Sequence, residues 1–265
     1  MIEFENNTFK NDKFEMNYLK FGKGDKNMVV IPGVSLIPIC KSPAAVISAY
    51  EMFAKDYTVY LFDRKSNMER PYHTLDMAKD TLEAIKSLGL KDLYIYGASQ
   101  GGNIALHIGI LYPKLVKKLV IASSSYYMNG SCYDFFSRIN EYVEENDIRS
   151  LSSYMLRKIY SKEFCEANLD NLIKYFAGAT TESDKKDLYA CTDTSDNFYL
   201  LDDLDKIKAK VLLIASKLDD VYGYEPTLHM ALKLNCDCVI YDEYSHAVYD
   251  EALDFRDRMK AFFDK

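Results

Sequence analysis

The chain has 265 residues, of which 48% are hydrophobic and 28% charged, and its formal net charge is -7. That length and apolar content suit one large domain with a sizeable core, alone or carrying an insertion, and exclude disorder on the scale of a domain. A mildly acidic chain with no Lys/Arg block lacks the clustered positive charge that a phosphate backbone rewards, so nucleic acid is not an expected partner.

No uncharged apolar run reaches the roughly 18 residues of a membrane span. The longest, around residues 28–40 and 119–125, fall short. The N-terminal stretch MIEFENNTFKNDKF lacks the basic start, apolar middle and small-residue cleavage site of a signal peptide. The six cysteines, at positions 40, 132, 165, 191, 236 and 238, resemble neither a disulfide framework nor a paired zinc site. A cytoplasmic protein without a bound metal is therefore expected. Cys236 and Cys238 stand two apart in an expected strand, where they share a face and read as small apolar fillers.

Segments 2–9 and 14–21 read as an antiparallel hairpin, with Asn11-Asp12 supplying turn chemistry. Segment 27–31 is a short apolar run of the kind buried on both faces of a parallel sheet, and it ends at Pro32-Gly33. A helix is expected over 43–55, with Ser42 as N-cap and Pro43 at the first helical position. Strand 57–62 follows. Helix 74–88 carries Leu75, Ala78, Leu82, Ile85 and Leu88 at helical spacing and stops at Gly89. Strand 92–96, helix 103–112 and strand 116–122 complete a strand–helix alternation that calls for a parallel sheet covered on both faces.

The alternation then breaks. Residues 126–206 contain no buried strand but several amphipathic helical stretches, at 135–145, 151–160, 165–176 and 184–201. This reads as a helical insertion above the sheet. Strand 209–215, helix 225–234, strand 236–241 and a final helix over 249–263 resume the pattern. The fold class is α/β, with a core formed by residues 1–125 and 207–265 and an insertion at 126–206.

Gly97-Ala98-Ser99-Gln100-Gly101 matches G-x-S-x-G. A match to five residues is common by chance, and an ordinary strand-to-helix turn with Ser99 as N-cap fits it too. The context favours a nucleophile, because the motif directly follows a strand and opens a helix. A serine at such a turn projects its hydroxyl above the sheet.

With these residues the chain resembles the α/β-hydrolase family over nearly its whole length. The most specific parts are Ile31-Pro32-Gly33, residues 97–102, Leu218-Asp219 and Ser245-His246. The resemblance implies an eight-stranded, mostly parallel sheet with a helical cap inserted after strand six, where 126–206 falls.

A serine hydroxyl needs a base, and the base needs an orienting carboxylate. In this fold they follow in the order Ser, Asp/Glu, His. Of the four histidines, His73 precedes Ser99 and His107 lies in the helix that Ser99 opens, so neither is the expected base. His229 lies in mid-helix. His246, in a loop past the last strand, matches the family's histidine and is preferred. The acid belongs just past a strand after the insertion, where Asp219 and Asp220 stand side by side. The family's spacing points to Asp219, and Asp220 stays open. The family's alternative acid position, after strand six, holds Ser123-Ser124-Ser125 and no carboxylate.

The resemblance also places the two oxyanion N–H donors at Gln100 and Val34. Where the family commonly has histidine before the glycine of that loop, this chain has Pro32, whose fixed φ would have to hold the loop instead. The apolar continuation, residues 34–39, points to an apolar wall beside Ser99. The insertion carries nine of the 22 tyrosines, which suits a lidded pocket for an apolar acyl group.

The expected activity is hydrolysis of an ester of a small molecule through an acyl-enzyme, with neither cofactor nor metal. Peptide, thioester, acyl-transfer and carbon–carbon bond chemistry all occur on this scaffold and stay open, as does a non-catalytic small-ligand-binding role.

Overall fold

The computed structural model describes residues 2–265. Eight strands form one sheet in the order β1-β2-β4-β3-β5-β6-β7-β8. β1 (Phe4–Lys10) and β2 (Glu15–Phe21) form the antiparallel N-terminal hairpin, and β2 also pairs antiparallel with β4 (Tyr57–Lys65). β3 (Lys26–Ile31), β5 (Leu93–Ala98), β6 (Val116–Ala122), β7 (Lys210–Ser216) and β8 (Asp237–Tyr241) continue from β4 in parallel.

The continuous apolar runs are explained by burial on both sheet faces. In β3, Val29 and Ile31 join one core, whereas Met28 and Val30 join the other. The same split separates Leu119 and Ile121 from Val120 and Ala122 in β6, and Val211 and Leu213 from Leu212 and Ile214 in β7. Successive strand residues point to opposite faces, so a sheet covered twice needs no polar alternation. Helices α2 (Thr74–Ser87), α3 (Gln100–Leu111) and α8 (Glu225–Leu234) contribute to the first core. Helices α1 (Pro43–Tyr50) and α10 (Phe255–Asp264) contribute to the second. Cys236 and Cys238 pack against the first core as small fillers, and all six cysteines are free thiols.

Between β6 and β7 lie α4 (Gly130–Glu144), α5 (Ile148–Ile159), α6 (Lys162–Ala179) and α7 (Glu182–Cys191). Phe135, Phe136, Ile139 and Leu151 of this insertion bury against Leu36, Val221 and Tyr222, which stand in loops of the sheet domain. Among the described residues, no helix is long and apolar enough to cross a membrane.

Several expected boundaries move. Helix 43–55 ends at Tyr50, followed by a 3-10 turn at Glu51–Phe53. Ser42 does not cap it; its hydroxyl instead meets the Tyr175 hydroxyl at 3.1 Å. The stretch 184–201 is helical only to Cys191, and Leu201–Lys206 is a separate 3-10 segment. There Thr192 Oγ1 turns back to the Leu188 carbonyl, and Asp193 and Asp196 accept from Ser195 and Thr74 backbone N–H groups, drawing the chain out of the helix. The final helix is two, Val248–Glu251 (α9) and α10, broken at an extended Ala252. The break leaves both Val248 and Phe255 buried in one core, so the apolar pattern runs through it undisturbed.

Candidate active site

β5 ends at Ala98, and α3 begins at Gln100, three residues before the expected start at Asn103. Ser99 alone makes the turn, with φ 54° and ψ -127°. Left-handed backbone is costly for a residue with a Cβ and persists only where its surroundings impose it. Here the Ser99 N–H donates to the Ala122 carbonyl at 2.9 Å, and the Ser99 carbonyl accepts from Gly102 at 2.8 Å. Ser99 occupies the N-cap position, yet its side chain makes no capping bond. The ordinary-cap reading therefore fails, and the hydroxyl is left free at the sheet's C-terminal edge.

Two glycines allow this packing. A Cβ on Gly33 would stand 3.0 Å from Ser99 Cβ, and one on Gly101 would run into the Ile31 and Pro32 carbonyls. The loop after β3 can therefore lie directly against the start of α3.

Asp219 and His246 are brought together. Asp219 follows β7, and His246 lies in the loop after β8. His246 Nδ1 is 3.0 and 2.9 Å from the two Asp219 carboxylate oxygens, and the two side chains are 2% and 0% exposed. The Asp219 carboxylate is fixed further by the N–H groups of Val221 (2.8 Å) and Tyr222 (3.1 Å). A neutral imidazole facing a carboxylate through Nδ1 keeps its proton there and leaves Nε2 as an acceptor. Asp220 points away; its side chain is 76% exposed and its nearest cation is Lys158, at 4.0 Å.

The other histidines are elsewhere. His73 Nε2 meets Ser195 Oγ at 3.0 Å, and His229 Nδ1 meets the Tyr126 hydroxyl at 3.2 Å. His107 is buried against Thr74 Oγ1 at 3.3 Å, and burial lowers its pKa to about 4.

Gln100 follows Ser99 in the chain, and Val34 follows Gly33, on which a Cβ would lie 3.0 Å from Ser99 Cβ. Neither the Gln100 nor the Val34 backbone N–H donates to a protein acceptor among the described residues. Gln100 N–H stands in the first turn of a helix, where such donors are normally unsatisfied and favour negative charge.

The sequence reading missed Arg64, Asn103 and Tyr222. Arg64, near the end of β4, donates through one Nη2 to the Pro32 carbonyl at 2.8 Å and lies 3.4 Å from Gln100 Oε1. Pro32 is thus held by its own carbonyl as well as its ring, a bond the sequence reading did not foresee. Gln100 Nε2 donates to the Cys191 carbonyl at 2.6 Å, tying the same turn to the insertion. Asn103 of α3 donates to the Ser125 carbonyl (2.6 Å) and accepts from the Tyr222 hydroxyl (2.7 Å), while the Tyr222 ring lies 6.0 Å from that of His246. This chain of contacts joins the helix that Ser99 opens to the loop of Asp219. Asp63-Arg64, two charges closing an apolar strand, was the one available sequence signal.

Val34, Leu36 and Ile39 form one wall of a cavity of about 320 Å³, whose lining includes Gly33 and Ala98, next to Ser99, but neither Ser99 nor His246. Val46 and Ala49 of α1 and Met155, Leu156 and Ile159 of α5 continue it.

This architecture is shared with known proteins. The family described as alpha/beta hydrolase fold matches residues 49–253. An α/β hydrolase enzyme from a Medee basin deep-sea metagenome library superposes with a TM-score of 0.86 at 21% identity, covering 98% of each chain. The enol-lactonase from Burkholderia xenovorans gives 0.81 at 14% identity over 97% of this chain and 98% of its own. A thermophilic esterase from Thermogutta terrifontis gives 0.77 at 13% identity over 100% and 97%. At these identities the neighbours speak to fold alone. The family match spans most of the chain, and the protein belongs to the α/β-hydrolase family.

Proposed function

We propose that this protein is a serine hydrolase that cleaves an ester of a small molecule, with Ser99 as nucleophile and His246 as its base. The observation that carries this reading is the buried Asp219–His246 pair, at the same sheet edge as a serine held at positive φ with its hydroxyl uncommitted. His246 Nε2 takes the Ser99 proton as Ser99 Oγ attacks the ester carbonyl. Val34 and Gln100 N–H groups receive the charge that develops on the carbonyl oxygen. Asp219 holds the imidazole in the required tautomer and stabilises its cation. His246 then protonates the departing alkoxide, and water repeats the sequence to release the acid.

In this reading residues 126–206 act as a cap over the cavity, residues 1–125 and 207–265 are the catalytic core, and the substrate's chain lies on the apolar wall. The substrate is a small molecule, with no role for nucleic acid, cofactor or metal. The six free thiols, four of them buried, favour a reducing compartment and hence the cytoplasm.

Ser99→Ala is the direct test. Turnover of a p-nitrophenyl ester should fall by about 10⁶-fold in kcat, with the melting temperature little changed. Undiminished turnover in that variant would remove Ser99 from the chemistry.

A further inference from the structure

Ser35 and Ser42 line the cavity near the loop after β3, and its other polar side chains gather at one place, where Tyr50, Tyr96, Tyr160, Tyr249, Asp250 and Arg256 meet. Asp250, in α9, stands at the open side of these rings, with 42% of its side chain exposed. Tyr160 donates its hydroxyl to Asp250 at 3.0 Å. Arg256 Nη2 reaches Asp250 only at 3.5 Å, long for an ion pair, and Arg256 Nε is sealed from solvent without a partner. The Tyr50 and Tyr96 rings lie 6.2 Å apart, with Arg256 5.5 Å from the Tyr50 ring. Tyr249 borders His246 at 6.2 Å between ring centroids. Its hydroxyl makes no hydrogen bond among the described residues. Burial raises the proton affinity of Tyr96 and Tyr249.

These groups are under-used by the protein itself. A bare hydrocarbon laid over them would strip their water and return nothing. An anionic group would meet Asp250, and a cationic one would meet Arg256. A neutral group that both donates and accepts suits them, and a hydroxyl does both. Val46, Met155, Leu156, Ile159 and Leu172 elsewhere in the wall offer only hydrocarbon surface. Resting on the ester-hydrolase reading above, we propose that the cavity takes an aliphatic chain bearing an uncharged hydroxyl, which donates to Asp250 and accepts from Tyr249. The substrate class is then a hydroxylated aliphatic ester rather than a plain alkyl ester.

The test compares kcat/KM for p-nitrophenyl octanoate with its monohydroxylated isomers, and for octyl acetate with the monoacetates of octanediols. At least one hydroxylated isomer should exceed its parent by about tenfold, and the carboxyl-terminated analogue should fall below it. Tyr249→Phe, which removes a single oxygen, and Asp250→Asn should each bring that ratio toward one. The proposal is overturned if no hydroxylated isomer exceeds its parent, or if the ratio survives both substitutions. Should Asp250→Asn fail to fold, Tyr249→Phe decides alone. Calorimetric titration of the Ser99→Ala protein with the same pairs separates the two readings. Preferential binding of the hydroxylated ester without turnover by the unmodified enzyme sinks the hydrolase reading and keeps the cavity inference; turnover without preference does the reverse.

Discussion

Ser99 combines three properties that a structural serine does not need together: positive φ, a hydroxyl that caps nothing, and a facing loop glycine, Gly33, on which a Cβ would stand only 3.0 Å from its own. Asp219 and Asp220 show how much one position matters. They are neighbours in sequence, but one is sealed against His246 and the other faces solvent. Asp219→Asn should lower kcat by about 10⁴-fold through loss of the correct tautomer, whereas Asp220→Asn should stay within about twofold. Steady-state kinetics on the two variants separates them, and equal losses would return the question to an open loop. Arg64 touches no reacting atom, but it joins the Pro32 carbonyl to the Gln100 side chain and so positions both expected oxyanion donors. Arg64→Met should cost about 10- to 100-fold in kcat with KM changed less than about threefold. A loss confined to KM would contradict that positioning role. At this scale the Asp219–His246 contact and the Ser99 turn were legible because the proposed chemistry restricts the residue types and the fold restricts their order. Arg64, Asn103 and Tyr222 were not, because their partners lie 22 to 119 residues away in sequence, and neither residue type nor spacing announces such a bond.

The elements were legible wherever burial alone shapes them. The strands of the parallel sheet and helix α8 fall at or within a few residues of their expected limits, because a sheet covered on both faces writes itself as unbroken apolar runs. The misplaced ends, at Tyr50, Cys191 and Ala252, share a cause. Each is set by a polar bond or a local bend, while the apolar spacing continues past it. α3 carries a second consequence of burial. His107 is held neutral between α3 and α2, with its pKa lowered to about 4. As pH falls below about 6.5 the unfolded chain takes up this proton and the folded protein does not. Stability should therefore decline from pH 6.5 to about pH 4, and His107 alone accounts for roughly 3 kcal/mol of that decline. Urea unfolding midpoints measured across this window should show a flatter slope in His107→Gln than in the unmodified protein. Parallel slopes would mean that the ring is already solvated in the native state.

Across the whole molecule, the insertion is anchored at the loops that carry the site. The Ala247 N–H, next to His246, donates to the Ile159 carbonyl at 2.6 Å; Tyr160 reaches Asp250, and the Ser161 N–H reaches Glu251 at 3.0 Å. The corner between α5 and α6 thus grips the histidine loop, and Gln100 is tied to the end of α7. The absence of buried strands over residues 126–206 is a negative signal, consistent with the helices found between β6 and β7 but silent on where they seat. The aromatic content of this stretch pointed to an apolar pocket, whereas the tyrosines around Asp250 give that pocket a polar corner drawn mostly from outside the insertion. The assembly converges on Ser99, and active-site labelling tests it most directly. Incubation with a fluorophosphonate, followed by intact mass and peptide mapping, should show a single adduct on Ser99, none on the Ser99→Ala protein, and strongly slowed labelling in His246→Ala. An unlabelled native protein, or an adduct on any other residue, would contradict the account.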